Sequence, residues 1–168
     1  MRDARITPIY EGTTAIQAAD LAGRKLARDG GAALAMLLAD MRADQRTLAG
    51  AGDPLLADIA TRFGAGLDDL LAASDVLIAR MGAAPAAALA VAEPFLKLAG
   101  TVIGGWLMAK AAKVASDAIA AGSSDPFYRE KLASAQFYMG HILPKSAGLR
   151  ITVESDNSLL LGLPDEAF

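Results

Sequence analysis

Along most of the chain, apolar residues recur at intervals of three and four, and the runs are separated by Gly, Pro and Asp-Pro punctuation. That period predicts helices. Thr13 or Thr14 caps a first helix running toward Arg28, where Asp29-Gly30-Gly31 interrupts it. A second reads from Ala32 to about Leu48, with Leu34, Leu37, Leu38, Met41 and Leu48 on its apolar side, and Ala49-Gly50-Ala51-Gly52 breaks it. Asp53-Pro54 starts a third, because aspartate caps well and proline suits the first turn. It carries Leu55, Ile59, Phe63, Leu67, Leu70, Leu71, Ile78 and Met81 despite Gly64 and Gly66, and Gly82 and Pro85 end it. A fourth segment spans Pro85 to Ala121, kinked or divided at Pro94, since an interior proline loses a backbone hydrogen bond. Its centre is apolar nearly all round, so it is expected to be the most buried helix.

Gly122-Ser123-Ser124-Asp125-Pro126 repeats the stop-and-start signal. The fifth helix begins near Phe127, presents Leu132, Ala135, Tyr138, Met139 and Ile142 on one face, and ends near Pro144. The last twenty residues lack this period, and a partly extended tail is expected there. The fold class is therefore all-α: an up-and-down bundle of four to five helices joined by short loops, with a short partly extended C-terminal tail.

Composition agrees with that reading. Of 168 residues, 54% are hydrophobic and 21% charged, with one tryptophan, three tyrosines and five phenylalanines. The core must be filled by aliphatic side chains and alanine, which favour close-packed helices. A net charge of −3 and a pI near 5.1 supply no basic field for a phosphate backbone, so nucleic acid is a poor partner. With no cysteine and one histidine, thiolate and multi-histidine metal sites are excluded, and no metal is expected. The apolar run Leu98–Ala109, bounded by Lys97 and Lys110, is shorter than the roughly 20 residues a membrane helix needs. No apolar leader follows Met1, and a cytoplasmic location is expected.

The chemistry is concentrated in the opening string MRDARITPIYEGTTAIQ. Glu11 lies between Tyr10 and Gly12, just before a helix start. From spacing alone it is either a capping charge on the helix dipole or a general base beside a glycine that lets a ligand approach. By themselves, Thr13 reads as a helix cap, Gln17 as a solvated helix residue, and Arg2 and Asp3 as a local surface ion pair.

As a string, RDARITPIYEGTTAIQ resembles the C-terminal signature of the flavin-dependent acyl-CoA dehydrogenases. The match runs without a gap over Arg2, Asp3, Ala4, Ile9, Tyr10, Glu11, Gly12, Thr13, Ile16 and Gln17. The resemblance implies that Glu11 is the catalytic base removing the proton α to a thioester carbonyl, and that Gly12 leaves room for substrate. It implies that Thr13 and Gln17 bind FAD, which takes a hydride from the β-carbon. Residues 1–29 are then the end of the catalytic helical domain and residues 30–168 a helical C-terminal extension. No segment reads as the strand-rich middle domain of that family, so the chain is expected to be a piece of a longer enzyme, inactive alone.

The long extension, with GGWLMAKAA and FYREKLASAQFYMGHILP, looks like the subgroup of 3-methylmercaptopropionyl-CoA dehydrogenase-like enzymes. Expected partners are an acyl-CoA substrate, the upstream domains, an electron-transferring flavoprotein and further copies in a homo-oligomer. A rival expectation is a stand-alone, non-catalytic helical interaction module. Within the extension, His141, Trp106, Met108 and Met139 read as packing or surface residues. Lys110, Lys113, Arg129 and Lys131 read as solvated cations rather than CoA contacts.

Overall fold

The computed structural model describes residues 13–164 and residue 166. Glu11 and Gly12 therefore lie outside the described residues. The first helix, α1 (Thr14–Ala19), runs directly into a π-helical segment, Asp20–Leu26, and a 3-10 turn, Ala27–Asp29. Gly30 and Gly31 then reverse the chain with φ of 62° and 85°. A side chain at Gly31 would be strained by that φ, and its Cβ would lie 2.5 Å from Ile78 Cδ1. The Asp29 carboxylate accepts from the Gly31 N–H at 3.0 Å and the Ala33 N–H at 3.0 Å, and α2 (Ala32–Ala49) follows.

The two Asp-Pro pairs work as the sequence suggests. Asp53 accepts the Leu55 N–H at 2.9 Å to begin α3 (Pro54–Ala83). The segment after Pro85 divides into α4 (Pro85–Ala90) and α5 (Ala92–Ala120). The break falls at Val91, so Pro94 sits in the first turn of α5, where its missing N–H costs nothing. Asp125 then accepts the Phe127 N–H at 2.9 Å to begin α6 (Pro126–Phe137).

Helices α3 and α5 form the centre. α2 packs on α3 and reaches α5, α6 packs on α5, and the first π segment and α1 lean on the same pair. Phe63, Phe95, Met41, Leu56, Ile59 and Leu98 fill the space between them. Each such side chain contributes about 1.5–3 kcal/mol by leaving water. Glycines set the helix spacing on the other side: Leu143 packs against Gly66 of α3 and Gly105 of α5, and Tyr138 lies against Gly104. A second π segment, Tyr138–Ile142, extends α6 and aims the Tyr138 hydroxyl at the Thr101 carbonyl, 2.9 Å away.

The all-α bundle is as expected, but two expectations within it are corrected. The C-terminal stretch is helical: α7 (Lys145–Glu154) contains Ile151-Thr152-Val153, and α8 (Ser158–Leu161) follows. Val153 is fully buried, Ser146 donates to Asp69 at 2.7 Å, and Arg150 bridges Asp69 at 2.9 Å and Glu154 at 3.0 Å. Arg80 of α3 caps the far end, donating to the carbonyls of Val153, Glu154 and Ser155. Packing and long-range bonds override a β-branched run that favours strand.

Second, α5 is not the most buried helix. Its inner side is sealed, yet Leu107 is 57% and Val114 64% exposed, and α3 buries more of its residues. The all-round apolar character of α5 is real; its outward side simply lacks a cover among the described residues.

Candidate functional site

The site is built around the start of α1. Thr13 precedes the helix with φ −118° and ψ 3°, and its carbonyl accepts the Gln17 N–H at 2.8 Å. Its hydroxyl makes no capping bond. Thr13 and Gln17 are both exposed and stand one turn apart, on the same helical face. Ile16 beside them is 67% exposed, whereas Ala18 is buried in the bundle core. The helix thus has an anchored side and a presented side.

The π segment continues the anchoring with Ala22 and Leu26 buried. Arg24 reaches Asp20 at 3.1 Å, with the arginine side chain 82% exposed. One Asp20 oxygen is buried with no hydrogen-bond partner among the described residues, so the contact to Arg24 is an ion pair without good hydrogen-bond geometry. A π-helical stretch widens the turn, and such stretches often occur beside functional sites.

Next to this segment lies a groove of about 240 Å³ between the π segment, α2 and α5. Leu21, Leu34, Leu37, Phe95 and Ile103 line it, and Lys25 stands at its edge. Its surface is almost wholly apolar, so it can hold a hydrophobic side chain or acyl-like group but offers no acid–base chemistry.

Other polar groups are engaged elsewhere. The Trp106 indole N–H donates to Asp44 at 2.7 Å, and Lys110 lies over the same ring, 4.9 Å from its centre, and 3.4 Å from Asp44. Lys113 pairs with Asp117 within α5, and Lys131 lies 5.3 Å from the Phe127 ring centre. His141 is exposed and stacks on Phe137, with ring centres 4.6 Å apart. Met139 is buried as core filler. These residues hold the bundle together and do not converge. Among the described residues no group of acidic or histidine side chains is placed to hold a metal, and no helix is long and apolar enough to cross a membrane.

Sequence reasoning passed over Arg80, Asp69, Ser146 and Arg150, whose partners lie more than seventy residues away along the chain. Nothing in the local pattern marked them: Asp69 and Arg80 lie on the third helix expected from the sequence, whereas Ser146 and Arg150 lie beyond the expected end of the fifth. Asp53 was read as a cap, but its second bond was missed: Ser116 donates to it at 2.7 Å, and this, with the Leu55 N–H, holds the carboxyl below its ordinary value.

A family model described as "Acetyl-CoA dehydrogenase C-terminal like" matches residues 37–164. The chain is 38% identical over 170 residues to "3-methylmercaptopropionyl-CoA dehydrogenase" of Ruegeria pomeroyi, covering 96% of this chain and 28% of the relative. It is 33% identical over 177 residues to "Broad-specificity linear acyl-CoA dehydrogenase FadE5" of Mycobacterium tuberculosis, covering 100% of this chain and 29% of the relative. A "Butyryl-CoA dehydrogenase" of Syntrophomonas wolfei is 30% identical over 175 residues, covering 99% and 28%. The chain spans less than a third of the length of these relatives, and the similarity extends past the family model to the opening string.

Proposed function

The chain belongs to the acetyl-CoA dehydrogenase C-terminal-like family, and on that premise we propose that it is the C-terminal part of an FAD-dependent acyl-CoA dehydrogenase. The observation that carries this is the alignment with relatives named acyl-CoA dehydrogenases over the whole chain, opening string included. Residues 1–29 close the catalytic helical domain, and residues 30–168 form the extension; the family model, starting at residue 37, supports that division.

Glu11 is the general base that takes the α-proton of an acyl-CoA thioester. The α-carbon is weakly acidic, so the base must be placed within hydrogen-bond reach of that proton, and the developing charge on the thioester oxygen needs donors to hold it. Gly12 keeps the space beside the base open to substrate. Thr13 and Gln17 hold FAD: an uncapped hydroxyl and an exposed amide one turn apart suit the hydroxyl and phosphate oxygens of a dinucleotide. When bound, FAD supplies the acceptor for the hydride from the β-carbon.

The partners are an acyl-CoA, the upstream domains of the same enzyme, an electron-transferring flavoprotein and further copies of the enzyme. The 38% identity to the methylmercaptopropionyl enzyme supports an acyl-CoA substrate, with the methylmercapto compound as the first to try. The extension packs against the catalytic domain or a neighbouring subunit, so deleting the residues after Arg28 from the full enzyme changes its oligomeric size or solubility. The 168-residue chain alone turns over no acyl-CoA.

The test is Glu11→Gln in the full-length enzyme, mixed anaerobically with acyl-CoA. Bleaching of the flavin should slow by roughly 10²–10⁴-fold, the range for loss of a general base, while FAD content stays at that of the wild type. Bleaching at the wild-type rate would refute the assignment.

A further inference from the structure

We propose that the groove between the first π segment, α2 and α5 is the seat for an acidic-flanked apolar segment of the preceding, flavin-bearing part of the same polypeptide. This rests on the reading that residues 1–29 close the catalytic domain. The groove draws its walls from three elements: Leu21 of the π segment, Leu34 and Leu37 of α2, and Phe95 and Ile103 of α5. The apolar strip does not stop at its rim, because Leu107, one turn beyond Ile103, is 57% exposed. Single exposed apolar residues are ordinary, but a concave apolar surface continued by an exposed ridge marks a contact site.

Connectivity selects the occupant. From Thr14 to Leu21 the chain is continuously helical, seven steps at roughly 1.5 Å each, or about 10 Å. Whatever is joined to Thr13 is held beside the groove at a high effective concentration, an advantage no second copy has. Charge gives the occupant its chemistry: Lys25 at the groove edge and Arg28 in the turn after it are exposed, while Arg24 beside them is paired with Asp20. Lys25 and Arg28 favour carboxylates beside the apolar side chain that enters the groove.

The chain has no cysteine, so single thiols can report on the groove. Ala33 is exposed at its edge, and Ala43 is exposed elsewhere on α2. Ala33→Cys and Ala43→Cys would be made in both the 168-residue chain and the full-length, FAD-loaded enzyme. Iodoacetamide alkylation would then be followed at each position by peptide mass mapping. Ala33 lies in the first turn of α2 and Ala43 in its middle, so each thiol takes its own rate in the 168-residue chain as its reference. In the full-length enzyme, the thiol of Ala33→Cys should react at least tenfold more slowly than in the 168-residue chain, while that of Ala43→Cys keeps its rate. An unchanged rate for Ala33→Cys would overturn the proposal, as would protection already present in the 168-residue chain and growing with its concentration, the mark of a second copy. Flavin bleaching by acyl-CoA in the same Ala33→Cys enzyme separates the two claims. A fast-reacting thiol in an enzyme that bleaches refutes the docking alone, and a protected thiol in one that does not bleach supports the docking and refutes the proposed function.

Discussion

The two ends of the described chain are both helices rich in polar side chains, and they use those side chains in opposite ways. At the C-terminal end, Ser146, Arg150 and Glu154 of α7 bond to Asp69 or to each other, and Arg80 is spent on the last carbonyls of the helix. At the N-terminal end, Thr13 and Gln17 of the α1 region stand exposed, and the Thr13 hydroxyl is not used as a cap. Polar groups that close bonds within the bundle hold it in shape; polar groups turned outward from an anchored helix are available to something else. The partners of their side chains separate the two ends.

This contrast can be broken at several points. The largest effect is expected at the outward end, where Glu11→Gln should cost the full-length enzyme its flavin reduction without altering the unfolding midpoint of the 168-residue chain. A matching drop in stability would make Glu11 a capping charge. At the inward end, Arg80→Met removes three charge-assisted bonds to α7, and urea unfolding should show a loss of about 2–4 kcal/mol. A change below about 0.5 kcal/mol would mean that α7 is held by Val153 and Arg150 without that clamp.

A smaller effect is expected at Asp53. Asp53→Ala should cost about 1 kcal/mol at neutral pH, as loss of a helix cap does. The Ser116 hydroxyl and the Leu55 N–H lower the carboxyl's pKa in the folded state. Its contribution is therefore fully present above the unfolded value, about 3.9, and fades as pH falls through the lower folded value. The stability difference between wild type and variant should shrink on acidification below about pH 4, and a gap that stays constant to lower pH would contradict the bonding. The smallest effect belongs to Thr13→Ala and Gln17→Ala. Stability of the 168-residue chain should shift by less than about 0.5 kcal/mol, while FAD is lost more readily from the full-length enzyme on dilution. Equal FAD retention would leave both residues as mere surface.

What could be read in advance follows from the range of the forces involved. Asp53-Pro54, Asp125-Pro126 and Gly30-Gly31 act on their immediate neighbours, and each marks the boundary it was expected to mark. Pro94 shifted its break to Val91, since the cheapest place for a proline is a first turn. The helix through Ile151 and Val153 was hidden because Asp69 and Arg80, which hold it, lie far back along the chain. Thr13 and Gln17 were legible only through a string resemblance, and nothing in the local pattern separates them from ordinary surface residues.

Trp106 is the only tryptophan of the chain, and its indole N–H is bonded to Asp44 across the seam between α2 and α5. Those two helices also supply most of the groove wall. Ultraviolet excitation of the intact chain therefore interrogates one seam, with no other indole to mask it. A shift in emission wavelength reports α2 parting from α5. The fold thus carries its own optical gauge at the place where a docked segment would press.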